Sequence, residues 1–534
     1  MRAPTVVLSL LLPLLSLMPS VASAADATMS SAAAGDAAAA KGTAATLDVA
    51  ALDAQIETMM RDWQQPGLAI AIVADGRIVH ERGFGVRDAS RRGAVDAQTL
   101  FGIASLSKSF ASATVAKLVA DGRIGWDDPV QRHLPWFQMP RERDSSEVTV
   151  RDLLAMRSGF GSSEYTFRRV SADRRDHVRR IRYLPQLHPL RSQFLYTTDS
   201  YTAIGEVVAE TTGMPWEGYA AQALWQPLGM SRTHADHVLA RRDANAASPH
   251  LRRDGLRMQP IDWIYEDYNA LPAGGVNSTA HDLALWLRFQ LGDGSVDGRP
   301  LLPAAALHET HVPQTPERGA FASSDWADVA GEGADRIAFR SYAMGWMVHA
   351  YRGHTVVWHS GGIDGFRSRM GFVPELGIGI VVLANSDQSL MPLAVFQTAL
   401  DHALGRGNQG DWSTRFRQRA EADRAAGSAR RKALAEARIA GTHPPLNLSA
   451  SPGCYADAGA FGKVAARADG KRLSLEAGRL VYDLQHWHHD VFKASPRWPY
   501  QMDSRDFFVD FRVDPRAQVA GFGFSTGYTF ARCG

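Results

Sequence analysis

Cysteine is nearly absent from this 534-residue chain: Cys454 and Cys533 are the only two, and both lie near the C-terminal end. Thiol catalysis and disulfide bracing are therefore excluded from the long stretch before them. A surplus of charge is lacking as well. A formal net charge of +2 over this length argues against a nucleic-acid binder or a membrane-surface binder. Beyond the first two dozen residues no run is long and apolar enough for a spanning helix, and no internal repeat is visible. Lysine is scarce and arginine does most of the basic work, so a lysine in a conspicuous place invites an explanation.

The ends carry the first positive signals. "MRAPTVVLSLLLPLLSLMPSVASA" has one arginine, an apolar stretch broken by Pro13, and small residues at Ala22 and Ala24. This predicts a signal peptide over 1–24 and an exported protein, periplasmic or secreted. No cysteine flanks the cleavage point, so no lipid anchor is expected. Residues 25–46 are Ala-rich without large apolar anchors and read as a disordered leader. A charged, Ala-rich linker over 406–445 ends at Pro444 and Pro445. It separates a large domain, 47–405, from a small one, 446–534.

The large domain opens with an amphipathic helix, "DVAALDAQIETMMRDWQQ", stopped by Pro66-Gly67. "GLAIAIVA", Asp75-Gly76 and "RIVHERGFGV" then predict a two-residue hairpin. Two more strands are expected in "MGFVPELGIGIVVLANSD", with helical segments between the pairs. Strands at both ends and helices between them imply an α+β fold whose terminal strands share one antiparallel sheet.

One lysine stands out in "TLFGIASLSKSFAS". A helix beginning near Ser105 places Ser105 and Lys108 at i and i+3, on one face. Serine needs a base to become a nucleophile, and a lysine with a lowered pKa can be that base. Downstream, "FLYTTDSY" sets Tyr196 just before a helix, and "VVWHSGGIDGF" brings His359-Ser360-Gly361-Gly362 after a β-branched run.

These three motifs, in this order, resemble those of the serine β-lactamase and penicillin-binding-protein superfamily, in its class C-like branch with D-aminopeptidases, D-Ala-D-Ala carboxypeptidases and esterases. Ser105-Leu106-Ser107-Lys108 matches Ser-x-x-Lys. Tyr196-Thr197-Thr198 stands where the family has Tyr-x-Asn, and His359-Ser360-Gly361 replaces Lys-Thr-Gly. "VTVRDLLAMRSGF", "QPLGMSRT" and "LPAGGVNSTAHDLALW" resemble family segments too.

The resemblance implies a β-lactamase/transpeptidase-like antiparallel sheet flanked by helices, with a helical domain. It further implies acyl transfer by Ser105, with Lys108 and Tyr196 moving the proton. The backbone N–H groups of Ser105 and Gly362 would form the oxyanion hole, and Thr198, His359, Ser360 and Gly361 would contact substrate. Esters, amides or D-amino-acid peptides are the expected substrates, cell-wall-derived peptides among the candidates. The alternative is a β-lactamase, or a penicillin-recognising sensor with little turnover. Thr198 cannot reproduce both contacts of the family's asparagine amide, which weighs against efficient β-lactam turnover. No cofactor, metal or nucleic-acid partner is called for.

The arginines of "YTFRRVSADRRDHVRRIRYLPQLHPLRSQF" suggest a solvated helix face, with capture of an acidic substrate as the second reading. After residue 446, alternating stretches such as "RLSLEAGRLVYDLQHWHHDVFKA" predict a small β-barrel, which resembles the lipocalin-like domain appended to many proteins of this group. In "QHWHHD", His486, His488 and Asp490 would share a strand face, but packing is preferred to metal binding. "GFSTG" (523–527) is taken to lack the Gly-x-Ser-x-Gly spacing of a nucleophile elbow, so an α/β-hydrolase is not expected. Cys454 and Cys533 are expected to pair in an oxidising compartment, tying the first and last barrel strands.

Overall fold

The structure is a computed structural model that describes residues 47–91, 93–163, 167–252, 258–263, 269–317, 337–387, 389–407, 410–443, 451–469, 472–497, 507–516 and 518–533. The expected signal peptide and Ala-rich leader lie outside the described residues.

Helix α1 (Val49–Trp63) begins at Asp48, whose carboxylate accepts from Ala51 N at 2.9 Å, and buries Leu52, Ile56, Met59 and Trp63 at helical spacing. Strand β1 (Gly67–Ala74) follows, buried along nearly its whole length, and turns at Asp75-Gly76 into β2 (Arg77–Gly85). Both turn residues have positive φ, 49° and 71°, the backbone that a two-residue hairpin of this hand requires and that Asp-Gly tolerates.

Six further strands complete the sheet: β3 (Thr315–Pro316), β4 (Ala338–Tyr342), β5 (Met347–Tyr351), β6 (His354–Ile363), β7 (Phe366–Val373) and β8 (Ile378–Ala384). Their order is β2-β1-β8-β7-β6-β5-β4-β3, with every pairing antiparallel. The terminal strands meet as expected, in register from Leu68 opposite Ala384 to Val73 opposite Gly379.

Helices cover both faces of the sheet. A Cβ added to Gly371 would lie 2.9 Å from the Phe396 ring of α6 (Met391–Ala403). One added to Gly379, on the other face, would lie 3.1 Å from Leu287 of α5 (Ala280–Leu291).

The helical layer is built around α2 (Ser107–Ala120), which is buried on all sides and so has no polar face to betray it by periodicity. Its hydroxyls are satisfied locally: Ser109 Oγ donates to Leu106 O at 2.7 Å, Ser112 Oγ to Lys108 O at 3.1 Å and Thr114 Oγ1 to Ala111 O at 2.7 Å. Against α2 lie a turn of helix at Leu271–Gly274 and helix α4 (Thr198–Thr212); α3 (Arg174–Arg180) packs on α4.

After the sheet, α7 (Trp412–Glu436) buries only Trp412, Phe416 and Ala420 in its first turns and leaves its charged remainder exposed. Eight strands then close a barrel: β9 (Gly453–Ala456), β10 (Lys463–Asp469), β11 (Arg472–Ala477), β12 (Leu480–His488), β13 (Val491–Pro496), β14 (Phe507–Val513), β15 (Val519–Phe524) and β16 (Thr529–Arg532). Tyr455, Phe461, Phe522, Phe524 and Phe530 fill its interior.

The closing seam is short, with only Tyr455 opposite Arg532 and Ala456 opposite Ala531. The Cys454–Cys533 disulfide, with Cα atoms 5.3 Å apart, and the Cys533 N to Cys454 O bond at 2.9 Å extend that seam.

Two expectations for the barrel need correction. His486, His488 and Asp490 do not share a strand face: the pairing slips between His486 and His488, His489 has φ 46°, and Asp490 falls in the turn. "GFSTG" does have Gly-x-Ser-x-Gly spacing, but Ser525 sits in the tight turn between β15 and β16, its Oγ accepting from Phe508 N at 3.0 Å. A nucleophile elbow needs a strand running into a helix, which is missing there.

The arginines before Tyr196 bind this chain's own groups. Arg174 pairs with Glu217 at 2.7 Å, Arg175 with Glu210, and Arg191 with Asp152 at 2.8 Å. Arg180 holds Asp176 at 2.9 Å and reaches the barrel at Gly459 O (3.2 Å) and Ala460 O (2.8 Å). These arginines are therefore clamps, which neither the solvated-face reading nor the substrate-capture reading anticipates.

Candidate active site

Ser105 lies in a 3-10 turn, Ala104–Leu106, two residues before α2 starts. The expected helix thus begins two residues later than Ser105, and Lys108 falls in its first turn. Ala104 holds φ 51°, a left-handed conformation that costs a residue with a Cβ about 1 kcal/mol or more. Bonds on each side keep it there. Ser107 Oγ donates to Ala104 O at 2.6 Å, Ser368 Oγ of β7 to Ile103 O at 2.8 Å, and Ile103 N to Val276 O at 3.0 Å. The nucleophile is raised on a turn that the sheet and a loop hold from outside.

Lys108 is fully buried, yet its Nζ stands 3.0 Å from Ser105 Oγ and donates to Ala273 O at 2.6 Å. Burial lowers its pKa to about 7, with the negative charge of Asp199 acting in the opposite direction. A large fraction of the amine is therefore neutral near pH 7. While Ala273 O takes one N–H, the nitrogen lone pair is free to accept the Ser105 hydroxyl proton.

Tyr196 stacks its ring under this amine, 4.9 Å from Nζ, and the ring of Tyr201 lies 5.5 Å away on the same helix-start segment. Thr198 is the first residue of α4 and is half-buried. The helix is capped by Thr197, whose side chain accepts from Asp199 N at 3.2 Å.

His359 and Gly361 face the nucleophile turn. A Cβ on Gly361 would overlap Ile103 O and Ser368 Oγ and come within 3.1 Å of Ala104 Cβ, so β6 can lie against the turn only with glycine here. Gly362 follows on the same strand, paired with Arg367.

Ser360 differs from expectation. By strand alternation its side chain points to the opposite face, where Oγ accepts from Arg369 Nη1 at 2.8 Å. Arg369 itself is buried over the Trp358 ring at 3.4 Å. The expected substrate contact from the Ser360 hydroxyl is accordingly replaced by one to the sheet's own interior.

His359 is buried and held neutral, its pKa driven down to about 3 by burial and by the neighbouring Lys108. Nδ1 lies 2.6 Å from Ser360 O and must carry the proton, because a carbonyl only accepts. Nε2 is left as an acceptor, and the hydroxyl 3.4 Å away belongs to Tyr342. The Tyr196 and His359 rings are 6.1 Å apart.

Tyr342 was not among the residues singled out from the sequence. It sits on β4 without a motif around it, fully buried, and burial beside Tyr201 and Tyr196 pushes its phenol well above its usual range. Ala273 O was also missed, although the "LPAGG" segment around it was one of the family-like stretches. Among the described residues no cluster of three or more histidine, cysteine or acidic side chains could hold a metal. No helix among them is long and apolar enough to cross a membrane.

Comparison with known proteins agrees with this geometry. A family model described as Beta-lactamase matches residues 52–403, and a domain of unknown function, DUF3471, matches 437–532. The unguisins hydrolase ungD of Aspergillus violaceofuscus is 26% identical over 363 residues, which cover 62% of this chain and 60% of that protein. The chain thus spans about 60% of the length of the curated relatives matched first.

Among solved structures, the octameric penicillin-binding protein homologue from Pyrococcus abyssi aligns with a TM-score of 0.61 at 21% identity, over 91% of this chain and all (100%) of that one. The D-amino acid amidase from Ochrobactrum anthropi SV3 aligns with a TM-score of 0.52 at 21% identity, over 66% of this chain and 98% of that one. At these identities the likeness is one of fold. The family match contains Ser105, Lys108, Tyr196 and His359 within a single sheet-and-helix core, and the chain belongs to the Beta-lactamase family.

Proposed function

We propose that this protein is a serine hydrolase that forms an acyl-enzyme on Ser105 and acts on amide, ester or D-amino-acid peptide substrates. The observation that carries this reading is the Lys108 amine, buried, about half neutral near pH 7, and 3.0 Å from Ser105 Oγ. In the first step Ser105 Oγ bonds to the carbonyl carbon while its proton passes to Lys108 Nζ. The carbonyl oxygen becomes an oxyanion facing the backbone N–H groups of Ser105 and Gly362. Collapse breaks the bond to the amine or alkoxide, which leaves with the proton returned by Lys108 through Tyr196. Water then attacks the ester on Ser105, the same pair takes its proton and returns it to Oγ, and a carboxylic acid is released.

Two features favour amides and esters over β-lactams as the working substrates. Thr198 offers one hydroxyl where an asparagine amide would offer a donor and an acceptor. His359 is neutral, so the strand beside the site presents no cation at that position to a substrate carboxylate. A similar structure is named as a D-amino acid amidase and a relative as an unguisins hydrolase, and both names are in keeping with this reading.

Export through the expected signal peptide, to a periplasmic or extracellular site, belongs to the same proposal; the Cys454–Cys533 disulfide suits an oxidising compartment. The test is covalent labelling. A fluorophosphonate should add once, at Ser105, and Ser105→Ala should remove the label while leaving the fold unchanged. A label mapped by peptide mass spectrometry to another serine, or none on folded protein, overturns the assignment.

A further inference from the structure

Behind Tyr196 lies a buried carboxylate–histidine pair that the scheme above does not use. Asp199 and His177 are 0% and 1% exposed, and His177 Nε2 stands 2.8 Å from Asp199 Oδ1. The carboxylate also accepts from Ser163 Oγ at 2.7 Å, Ser163 N at 2.9 Å and Thr197 Oγ1 at 3.0 Å. Burial favours the protonated acid, but the donors from His177 and Ser163 outweigh it and hold the pKa of Asp199 below the usual carboxylate range. A carboxylate with four donors is an anion fixed in place.

Its position matters on two counts. Asp199 ties the loop at Ser163 and helix α3 to the Thr197 cap, the residue directly after Tyr196, so the entry of Tyr196 into the site hangs on it. Its charge is also the counterweight to the burial of Lys108. The titratable groups around Lys108 are otherwise Tyr196, Tyr201 and His359, with Tyr342 behind the two tyrosines; burial keeps the Tyr201 and Tyr342 phenols protonated and His359 neutral at pH 7.

We propose that Asp199, held by His177, is a positioning residue of this hydrolase: it sets Tyr196 through the Thr197 cap and supplies the counter-charge for Lys108. The inference rests on Ser105 being the nucleophile. It also gives the Arg-rich segment a task, because α3 within that segment delivers His177. The barrel steadies α3 through the bonds of Arg180 to Gly459 O and Ala460 O, and the segment's preceding residues through Arg479 N to Arg169 O at 3.1 Å.

The experiment is the rate of fluorophosphonate labelling of Ser105 in the full chain, followed from pH 5 to 9. Wild-type labelling should rise with pH through a midpoint near 7, as Lys108 loses its proton. Asp199→Asn should slow the plateau rate ~10-fold or more and move the midpoint down by about one pH unit, because the lysine loses its counter-charge. His177→Phe should change both in the same direction, and His177→Gln, which keeps a donor, should recover most of the rate.

Slower labelling with an unmoved midpoint would make Asp199 a merely structural residue and overturn the proposal, as would a wild-type profile in Asp199→Asn. If Asp199→Asn does not fold, the His177 pair decides: Phe and Gln variants with the same rate and midpoint also overturn it. Absence of labelling in the wild type would instead sink the nucleophile assignment itself.

Discussion

Lys108 should destabilise the fold that it serves, and replacing it with methionine measures by how much. The amine has no exposed surface, and burial draws its pKa from 10.5 to about 7. At ~1.4 kcal/mol per pKa unit, a drop of this size bounds the cost of burial at about 5 kcal/mol.

The sign follows from proton counts. Between pH 7 and 10.5 the unfolded chain holds the proton and the folded one does not, so wild-type stability rises with pH across that window. Below it the penalty is complete; above it the penalty is gone. Lys108→Met keeps the length and apolar stem but leaves Ala273 O without its 2.6 Å donor, which costs about 1–3 kcal/mol.

The expected result is a variant about 2–4 kcal/mol more stable than wild type at pH 6, an advantage that disappears by about pH 10. Its Ser105 labelling should be lost. Denaturant melts of both proteins from pH 6 to 10 provide the check. A methionine variant less stable than wild type at pH 6, or a difference independent of pH, refutes the reasoning.

Two further outcomes follow from the geometry. Gly361→Ala should push β6 off the nucleophile turn, because the added methyl overlaps Ile103 O and Ser368 Oγ; labelling of Ser105 should fall ~10²-fold, and a wild-type rate would contradict the packing described. Cys454→Ser should weaken the two-pair seam of the barrel by up to ~4 kcal/mol, read as earlier exchange of amide hydrogens in β9 and β16, while Ser105 is still labelled in native conditions.

What could be read from the chain and what could not divide by range. Ser105 and Lys108 were legible because a separation of three residues, one helical turn, fixes their relation, and the Asp75-Gly76 turn because its backbone is a local property. The pairing of β1 with β8 followed from strands at both ends of one domain. Tyr342 was illegible because it reaches the site across a long stretch of chain with no local pattern to mark it, Ala273 O because a backbone carbonyl leaves no side-chain signature even inside a family-like stretch, and His177 because it sits among arginines that drew the reading.

Ser360 was misplaced because a motif read as a word ignores the alternation of a strand, which turns every second side chain away. The bulge beyond His486 undid a period-two reading for the same kind of reason: one slipped residue reverses the faces.

The sheet order also decides when the protein can first work. Strand β1 is made early, but its inner neighbour β8 is the last strand of the sheet to be made. The Ser368 Oγ bond that braces the nucleophile turn spans 265 residues. Closing so long a loop precedes any gain from the contact, which makes such topologies slow to form. In the interval the β1–β2 hairpin exposes the apolar run Leu68–Val73 along an unpaired edge, a surface prone to the wrong partners. A chain still on the ribosome, or cut short before Ser368, carries the nucleophile and its lysine without the brace that raises them into a site.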